Sequence, residues 1–256
     1  MDDLQSLHCW AEGFQREIEQ SAGRARPRAA DCRTCHSAVL CIPGHANPEA
    51  LTAFECLVEQ IGPLPAGSRY ISMGDPFDAV YAIKSGQVKT SRVDTDGNEE
   101  VLGLHLPGEL VGLDALAGSR YRCDATLLDT GMICRISFPR VADLALVWPT
   151  LQGRLFQLFS AALQTPRYSV DHPVEMRLAA FLLDLSARWK QRGFSATEFT
   201  IALPRQDIAR LLAMRKETMS RVFARFEEQG FVRTDRKHVT LLDFDALRRQ
   251  AGPLAP

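Results

Sequence analysis

Apolar residues along this chain switch from helical spacing to short β-rich runs and back again. In residues 47–61, "NPEALTAFECLVEQI", Leu51, Phe54, Leu57, Val58 and Ile61 recur at helical intervals. Asn47, just ahead of Pro48, is placed to cap that helix, so the pattern predicts a helix over the whole stretch. From Gly62 to about Ser137 the runs are short: "SRYISM", "AVYAIKS", "QVKTSRV", "EEVLGLHL", "DATLLDT" and "MICRISF". Glycines at 67, 74, 86, 97 and 108 punctuate them. Strands with a turn signal every ~8–12 residues predict a sandwich or barrel, and Asp96-Gly97 is a hairpin turn. Helical spacing returns at Pro139. In "TLQGRLFQLFSAAL" (150–163), Leu151, Leu155, Phe156, Leu158, Phe159 and Leu163 form a stripe that is wide for a lone surface helix and suits a partner helix. Pro166 and Pro173 interrupt, a helix resumes over 174–189, and Gly193 is placed to end it. The last part reads as helix (205–212), turn ("AM"), helix (215–230, closed by Gly230) and a hairpin made of "FVRT", a turn at Asp235–Lys237, and "HVTLLD". No internal repeat or low-complexity tract is present.

Composition narrows the class. At roughly 100–200 residues per domain, 256 residues predict two domains. With 46% apolar and 24% charged residues and a formal net charge of −1, nothing marks a partner held by overall charge. Residues 1–30 form a polar lead-in whose start carries acids and no apolar run, so no secretory signal is expected. No stretch approaches the ~18 apolar residues of a membrane span. A cytoplasmic location is expected. Seven cysteines, an odd number, then point to metal or redox chemistry before disulfides.

Charge becomes informative locally. Residues 203–238 hold nine Lys/Arg against five acids, a basic patch of the kind phosphate binding needs. On the second helix of that region Glu217, Ser220 and Arg221 stand at i, i+3 and i+4 and share one face, while Val222, Phe223 and Phe226 lie on another. Arg donates two bonds to guanine, Glu accepts from cytosine N4, and Ser reaches a base or a phosphate. The plain alternative is a solvated face with a Glu217–Arg221 ion pair. The surrounding helix–turn–helix–hairpin order favours DNA reading, with Lys216 and Arg236 as candidate phosphate contacts.

Three cysteines, Cys32, Cys35 and Cys41, crowd into "DCRTCHSAVLCIPGH" (31–45). A structural zinc site is the common use of such spacing, but zinc ligands usually come in two close pairs. Iron–sulfur clusters accept uneven spacing of their thiolates.

Both ends of the chain resemble one family. "KETMSR" within "DIARLLAMRKETMSRVFARFEEQGFV" is similar to the winged helix–turn–helix of the CRP/FNR regulators, and E-x-x-S-R to the FNR-type reading motif. The resemblance implies that Glu217, Ser220 and Arg221 read half-sites like TTGAT. Ala213 stands where the family often has glycine in the turn. If it is left-handed there, alanine costs about 1–2 kcal/mol. Residues 81–116 resemble the centre of a cyclic-nucleotide-type β-roll, and "GEL" (108–110) matches a glutamate that holds the ribose in cAMP-binding members. Tyr121 and Arg122 stand where those members carry Arg-Ser or Arg-Thr on the cyclic phosphate. The missing hydroxyl argues against cyclic-nucleotide binding and leaves Glu109 a structural turn residue.

"CRTCHSAVLCIP", with Leu40 before the third cysteine and Ile-Pro after it, resembles the FNR cluster motif, and "TGMICRISF" the strand that supplies the fourth ligand. The resemblance, running from Cys32 to Leu247, implies an oxygen-labile [4Fe–4S] cluster on Cys32, Cys35, Cys41 and Cys134. Cys56 reads as a core residue, Cys9 as a bystander, Cys123 as the rival to Cys134, and His36 as a neighbour tuning access to the cluster. The implied protein is α+β and not an enzyme: a leader over 1–46, a β-roll over 47–138, a dimerisation helix region over 139–172 and a winged helix–turn–helix over 173–256. It would be a homodimer that binds a palindromic operator and works with RNA polymerase. The alternatives are a CRP-type small-molecule regulator with a structural zinc, and an electron-transfer protein, for which no cofactor fingerprint is present.

Overall fold

The computed structural model describes residues 28–44, 46–163, 168 and 170–255. Residues 1–27 of the polar lead-in, with Cys9, and Pro166 lie outside the described residues. The first half contains β1 (Arg28–Ala29), α1 (Pro48–Glu55), β2 (Val58–Leu64), β3 (Arg69–Ile71), β4 (Ala79–Ser85), β5 (Val88–Val93), β6 (Glu99–His105), β7 (Leu110–Val111), β8 (Asp124–Leu127) and β9 (Gly131–Ser137). Then come α2 (Phe138–Val147), α3 (Pro149–Leu163), α4 (Val174–Gln191), β10 (Glu198–Thr200), α5 (Arg205–Leu211), α6 (Lys216–Glu228), β11 (Val232–Asp235), β12 (His238–Leu241) and α7 (Phe244–Ala251). No described helix is long and apolar enough to cross a membrane.

The helix expected over 47–61 is half correct. Asn47 does cap it, accepting from the Ala50 amide at 2.8 Å. The helix stops at Glu55, and Val58 to Leu64 becomes strand β2. Val58 and Ile61 find antiparallel partners in Ile136 and Ile133 of β9. Sheet pairing decides between two periods that so short an apolar run fits equally well.

Two antiparallel sheets, ordered β1-β2-β9-β4-β7 and β3-β8-β5-β6, form the roll. Alternation along β4 sorts its side chains: Ala79, Tyr81 and Ile83 fill the space between the sheets, with Val88, Leu127 and Ile133. Val80 and Ala82 point the other way, with Ile136, against a second core of Ile42, Phe54, Leu144, Leu151 and Leu155. The outer face of the first sheet is thus covered by the cysteine loop, α1, α2 and α3. A third core joins α4, α5, α6 and the β10-β12-β11 sheet through Leu178, Phe181, Ile208, Val222, Phe226 and Val239. The unforeseen α7 adds Leu247 and Ala251 to it.

Three helices of this last core end alike. After α4, the Gly193 and Phe194 amides donate back to the carbonyls of Lys190 and Trp189. After α6, Gly230 and Phe231 donate to Glu227 and Phe226. After α5, Ala213 and Met214 donate to Arg210 and Ala209. The residue past the cap is left-handed in this arrangement; Gly193 and Gly230 supply it with φ of 77° and 70°, and Ala213 adopts φ 50°.

Candidate metal centre and nucleic-acid interface

The cysteine loop is built from two tight turns and anchored from three sides. The Asp31 carboxylate accepts from the Arg33 and Thr34 amides and from the Thr34 hydroxyl. The Ala38 amide donates to the Cys35 carbonyl, and the Cys41 amide to that of Ser37, each at 3.1 Å. The Cys32 amide donates to Glu55 Oε1 on α1 at 2.8 Å. Arg154 on α3 donates from Nη2 to the Val39 carbonyl at 2.8 Å and from Nε to the Cys41 carbonyl at 3.2 Å. Leu40 and Ser37 lie against Gly108, where an added Cβ would come within 2.9 Å of Leu40 Cβ. With φ +90° there as well, that turn has room and conformation for glycine alone.

Cys134 joins this loop through the pleat of the sheet. It lies on β9 opposite Ala82 of β4 and Gln60 of β2. Its neighbour Ile133 faces the roll interior, so Cys134 faces outward. Cys32, Cys35, Cys41 and Cys134 line one pocket, walled by Phe54, Val58, Ala82 and Ile136 with Lys84 at its edge. Among the described residues no three His, Cys, Asp or Glu side chains stand close enough to grip a single metal ion. Burial, then the negative potential of its neighbours, pushes the Cys32 thiol up to about 12. Burial pushes Cys134 up to about 11 against the pull of Lys84, and it raises Cys41 further. An apolar pocket of clustered thiols near one cation is suited to thiolates neutralised by bound metal rather than to free thiolates.

The other cysteines lie elsewhere. Cys123 is buried beside Asp114, outside the pocket. Cys56 caps the end of α1, its thiol donating to the Thr52 carbonyl. His36 does not face the thiols: its Nε2 meets the Arg192 carbonyl at 2.9 Å.

The cyclic-nucleotide positions are otherwise engaged. Glu109 takes part in ion pairs with Arg188 and Arg192 of α4 and its cap, at 2.7 and 2.5 Å. Burial opposes its ionisation, but the guanidiniums of Arg188 and Arg192 hold its carboxyl below the usual carboxylate range. Tyr121 is buried, its hydroxyl donating to the Ala79 carbonyl at 2.6 Å. The Arg122 amide is bound to Asp114. The sequence shows Arg188 and Arg192 merely as two basic residues, four apart, at the end of a helix.

In the C-terminal half, α6 buries Met219, Val222, Phe223 and Phe226 and exposes Lys216, Glu217, Ser220 and Arg221. Ser220 Oγ donates to the Lys216 carbonyl. Among the described residues no ion pair joins Glu217 to Arg221. Arg236 is exposed in the two-residue turn of the β11–β12 hairpin, at φ 55°. Arg205 lies 3.5 Å above the Phe223 ring, which ties the start of α5 to α6. Arg177 of α4 donates to the carbonyls of Leu212 and Ala213 and so holds the turn between α5 and α6.

Comparison with known proteins gives two matching family profiles, a Crp-like helix-turn-helix domain over residues 176–250 and a cyclic nucleotide-binding domain over 62–146. The transcriptional activator protein Anr of Pseudomonas aeruginosa is 36% identical over 233 residues, 90% of this chain and 95% of that protein. The fumarate and nitrate reduction regulatory protein of Escherichia coli is 34% identical over 228 residues, 88% of this chain and 91% of that protein. Among solved structures, FixK2 from Bradyrhizobium japonicum matches with a TM-score of 0.67 at 19% identity, covering 76% of this chain and 96% of its own. A CRP-family transcriptional regulator from Thermus thermophilus matches with a TM-score of 0.53 at 24% identity, over 76% and 96%. These two share the fold.

Proposed function

Because the chain is an FNR-type member of the CRP/FNR family of transcription regulators, we propose that it is a cytoplasmic transcription activator that senses oxygen through a [4Fe–4S] cluster. Cys32, Cys35, Cys41 and Cys134 are the proposed ligands. The observation that carries the reading is their convergence: a strand residue about a hundred positions away in the chain lines the same pocket as the three loop cysteines. When bound, the cluster supplies an oxygen-reactive centre that also ties the loop to the first sheet. The protein's own part is to hold that loop in shape through Glu55, Arg154 and Gly108 and to keep the thiols in an apolar pocket.

Loaded protein dimerises along α3 and presents two copies of α6 to a palindrome of TTGAT-like half-sites. Glu217, Ser220 and Arg221 read bases; Lys216 and Arg236 contact phosphates. RNA polymerase is the partner at activated promoters. The engagement of Glu109 by Arg188 and Arg192, and the buried Tyr121, support this reading over a cyclic-nucleotide regulator.

The test is iron and sulfide content after purification without oxygen. Both should collapse in Cys32→Ser, Cys35→Ser, Cys41→Ser and Cys134→Ser and persist in Cys56→Ser and Cys123→Ser. Retention of sulfide in Cys134→Ser with its loss in Cys123→Ser would replace the fourth ligand.

A further inference from the structure

Three segments distant in sequence meet at one junction. The β6–β7 turn brings Pro107 and Glu109, the end of α4 brings Arg188, Arg192 and Phe194, and the cysteine loop brings His36. Glu109 accepts from Arg188 Nε at 3.0 Å and Nη2 at 2.7 Å, and from Arg192 Nη2 at 2.5 Å. Arg192 Nε donates to the Pro107 carbonyl and Arg188 Nη2 to that of Leu104, each at 2.6 Å. These bonds dock the DNA-binding half on the roll without help from the cysteine loop.

His36 adds the loop to the junction. A carbonyl can only accept, so the Nε2 that meets the Arg192 carbonyl at 2.9 Å carries the proton. The Arg192 carbonyl is one of those a helix end leaves without an internal partner. The His36 ring also stands edge-on to Phe194, centroids 5.6 Å apart, and Phe194 stands edge-on to Trp189 at 5.4 Å. His36 directly follows Cys35. One peptide bond therefore separates a proposed ligand from a contact on the turn that leads into β10 and α5.

We propose that His36 is a positioning residue that passes the state of the cysteine loop directly to the DNA-binding half of the same chain, through the Arg192 carbonyl and Phe194. This rests on the cluster reading above and acts alongside any change at a dimer interface. Ligand bonds fix the loop, and with it His36. Their loss lets the loop withdraw, and the turn after α4 loses a hydrogen bond and a ring contact. A dimer must hold both α6 helices at the spacing of successive half-sites. Looser mounting of either raises the ordering cost on DNA and lowers affinity even if the dimer persists. The loop then biases DNA binding by the differential contact it makes in its two states.

The experiment compares wild type with His36→Ala in full-length protein purified without oxygen. It measures iron and sulfide, dimer mass, binding to a palindrome of two TTGAT-like half-sites, and hydrogen–deuterium exchange over residues 189–196. The Gly193 and Phe194 amides close the turn and report its opening. The expected result is unchanged iron, sulfide and mass, faster exchange in that segment, and operator binding weaker by about three- to tenfold, as one hydrogen bond supplies. Air should speed exchange there in wild type and add little in His36→Ala.

Equal exchange and equal affinity in the variant would overturn the proposal, as would a wild-type cluster that bleaches in air without changing residues 189–196. If His36→Ala itself loses iron, Phe194→Ala, which leaves the loop sequence intact, decides by the same two readouts. Wild type without iron or sulfide sinks the cluster reading alone. Exchange in that metal-free protein then still upholds the His36 contact if it quickens in the variant and overturns it if it does not.

Discussion

At the residue scale, single backbone conformations decide what a side chain can do. Cys134 and Cys123 are both buried or half-buried cysteines near strand residues, yet only Cys134 reaches the pocket. The pleat turns it away from Ile133 and toward the loop. Ala213 is a converse case, where the backbone makes a demand that the side chain resists. Its φ of 50° is one that Gly193 and Gly230 adopt freely at the matching positions after α4 and α6. The strain of a Cβ there is about 1–2 kcal/mol, and glycine gives back about 0.4–1 kcal/mol through the greater freedom of the unfolded chain. Ala213→Gly should therefore raise stability by about 0.5–1 kcal/mol. Denaturant titration would show this as a higher midpoint at unchanged slope; a lower midpoint would mean that the bonds from Arg177 to the Leu212 and Ala213 carbonyls depend on alanine.

At the scale of elements, a helix has one face for packing and leaves another to act. On α6 the split is sharp: Val222, Phe223 and Phe226 are buried while Lys216, Glu217, Ser220 and Arg221 are exposed. A lost base contact costs ~1–3 kcal/mol at one position, whereas a lost phosphate contact weakens all sequences and lowers the salt slope by about one. Glu217→Ala should lose preference at one base pair of each half-site, and Lys216→Ala should keep the preferred site with lower affinity. Binding to a half-site library at two salt concentrations separates them. Unaltered preferences in Glu217→Ala would reduce Glu217 and Arg221 to a solvated face. The stripe on α3 divides differently. Leu151 and Leu155 pack on the first sheet's outer core, while Phe156 and Leu163 are 63% and 83% exposed. This is the face proposed for a second copy.

For the whole molecule, the junction between its two halves places titratable groups, His105 and Glu109, beside Arg188. His105, at the end of β6, is half-buried beside Glu109 and Arg188 and accepts or donates one bond with the Thr90 hydroxyl. Burial lowers its imidazole from 6.5 to about 4. A group whose folded pKa is depressed binds more protons when unfolded, so stability falls as pH drops through the unfolded value and levels off below the folded one. The loss belongs between pH 6.5 and about 4 and amounts to at most about 3 kcal/mol. Glu109, held low by Arg188 and Arg192, loses its contribution at still lower pH. Urea titrations at pH 7, 5.5 and 4.5 should show wild type weakening more steeply than His105→Gln; parallel losses would assign the acid sensitivity to other groups.

Much of this was legible in the sequence because it is local. Strands β4, β5, β6 and β9, the capped helix starting at Asn47, the turns at Gly193 and Gly230 and the two faces of α6 each follow from residues within one or two turns of each other. The boundary between α1 and β2 was not, because Leu57, Val58 and Ile61 satisfy both periods and only pairing with β9 chooses. Nor was the role of Glu109, which reads as a turn residue until α4 folds back and brings Arg188 and Arg192 to it, or that of His36, whose partner is 156 positions away. The sequence by itself determined the elements whose period is unambiguous and which residue types are available for thiolate and base chemistry, since backbone propensity and side-chain period act over a few residues. Tertiary structure alone decided which of those residues meet, because burial and ion pairing depend on distances that chain separation does not set.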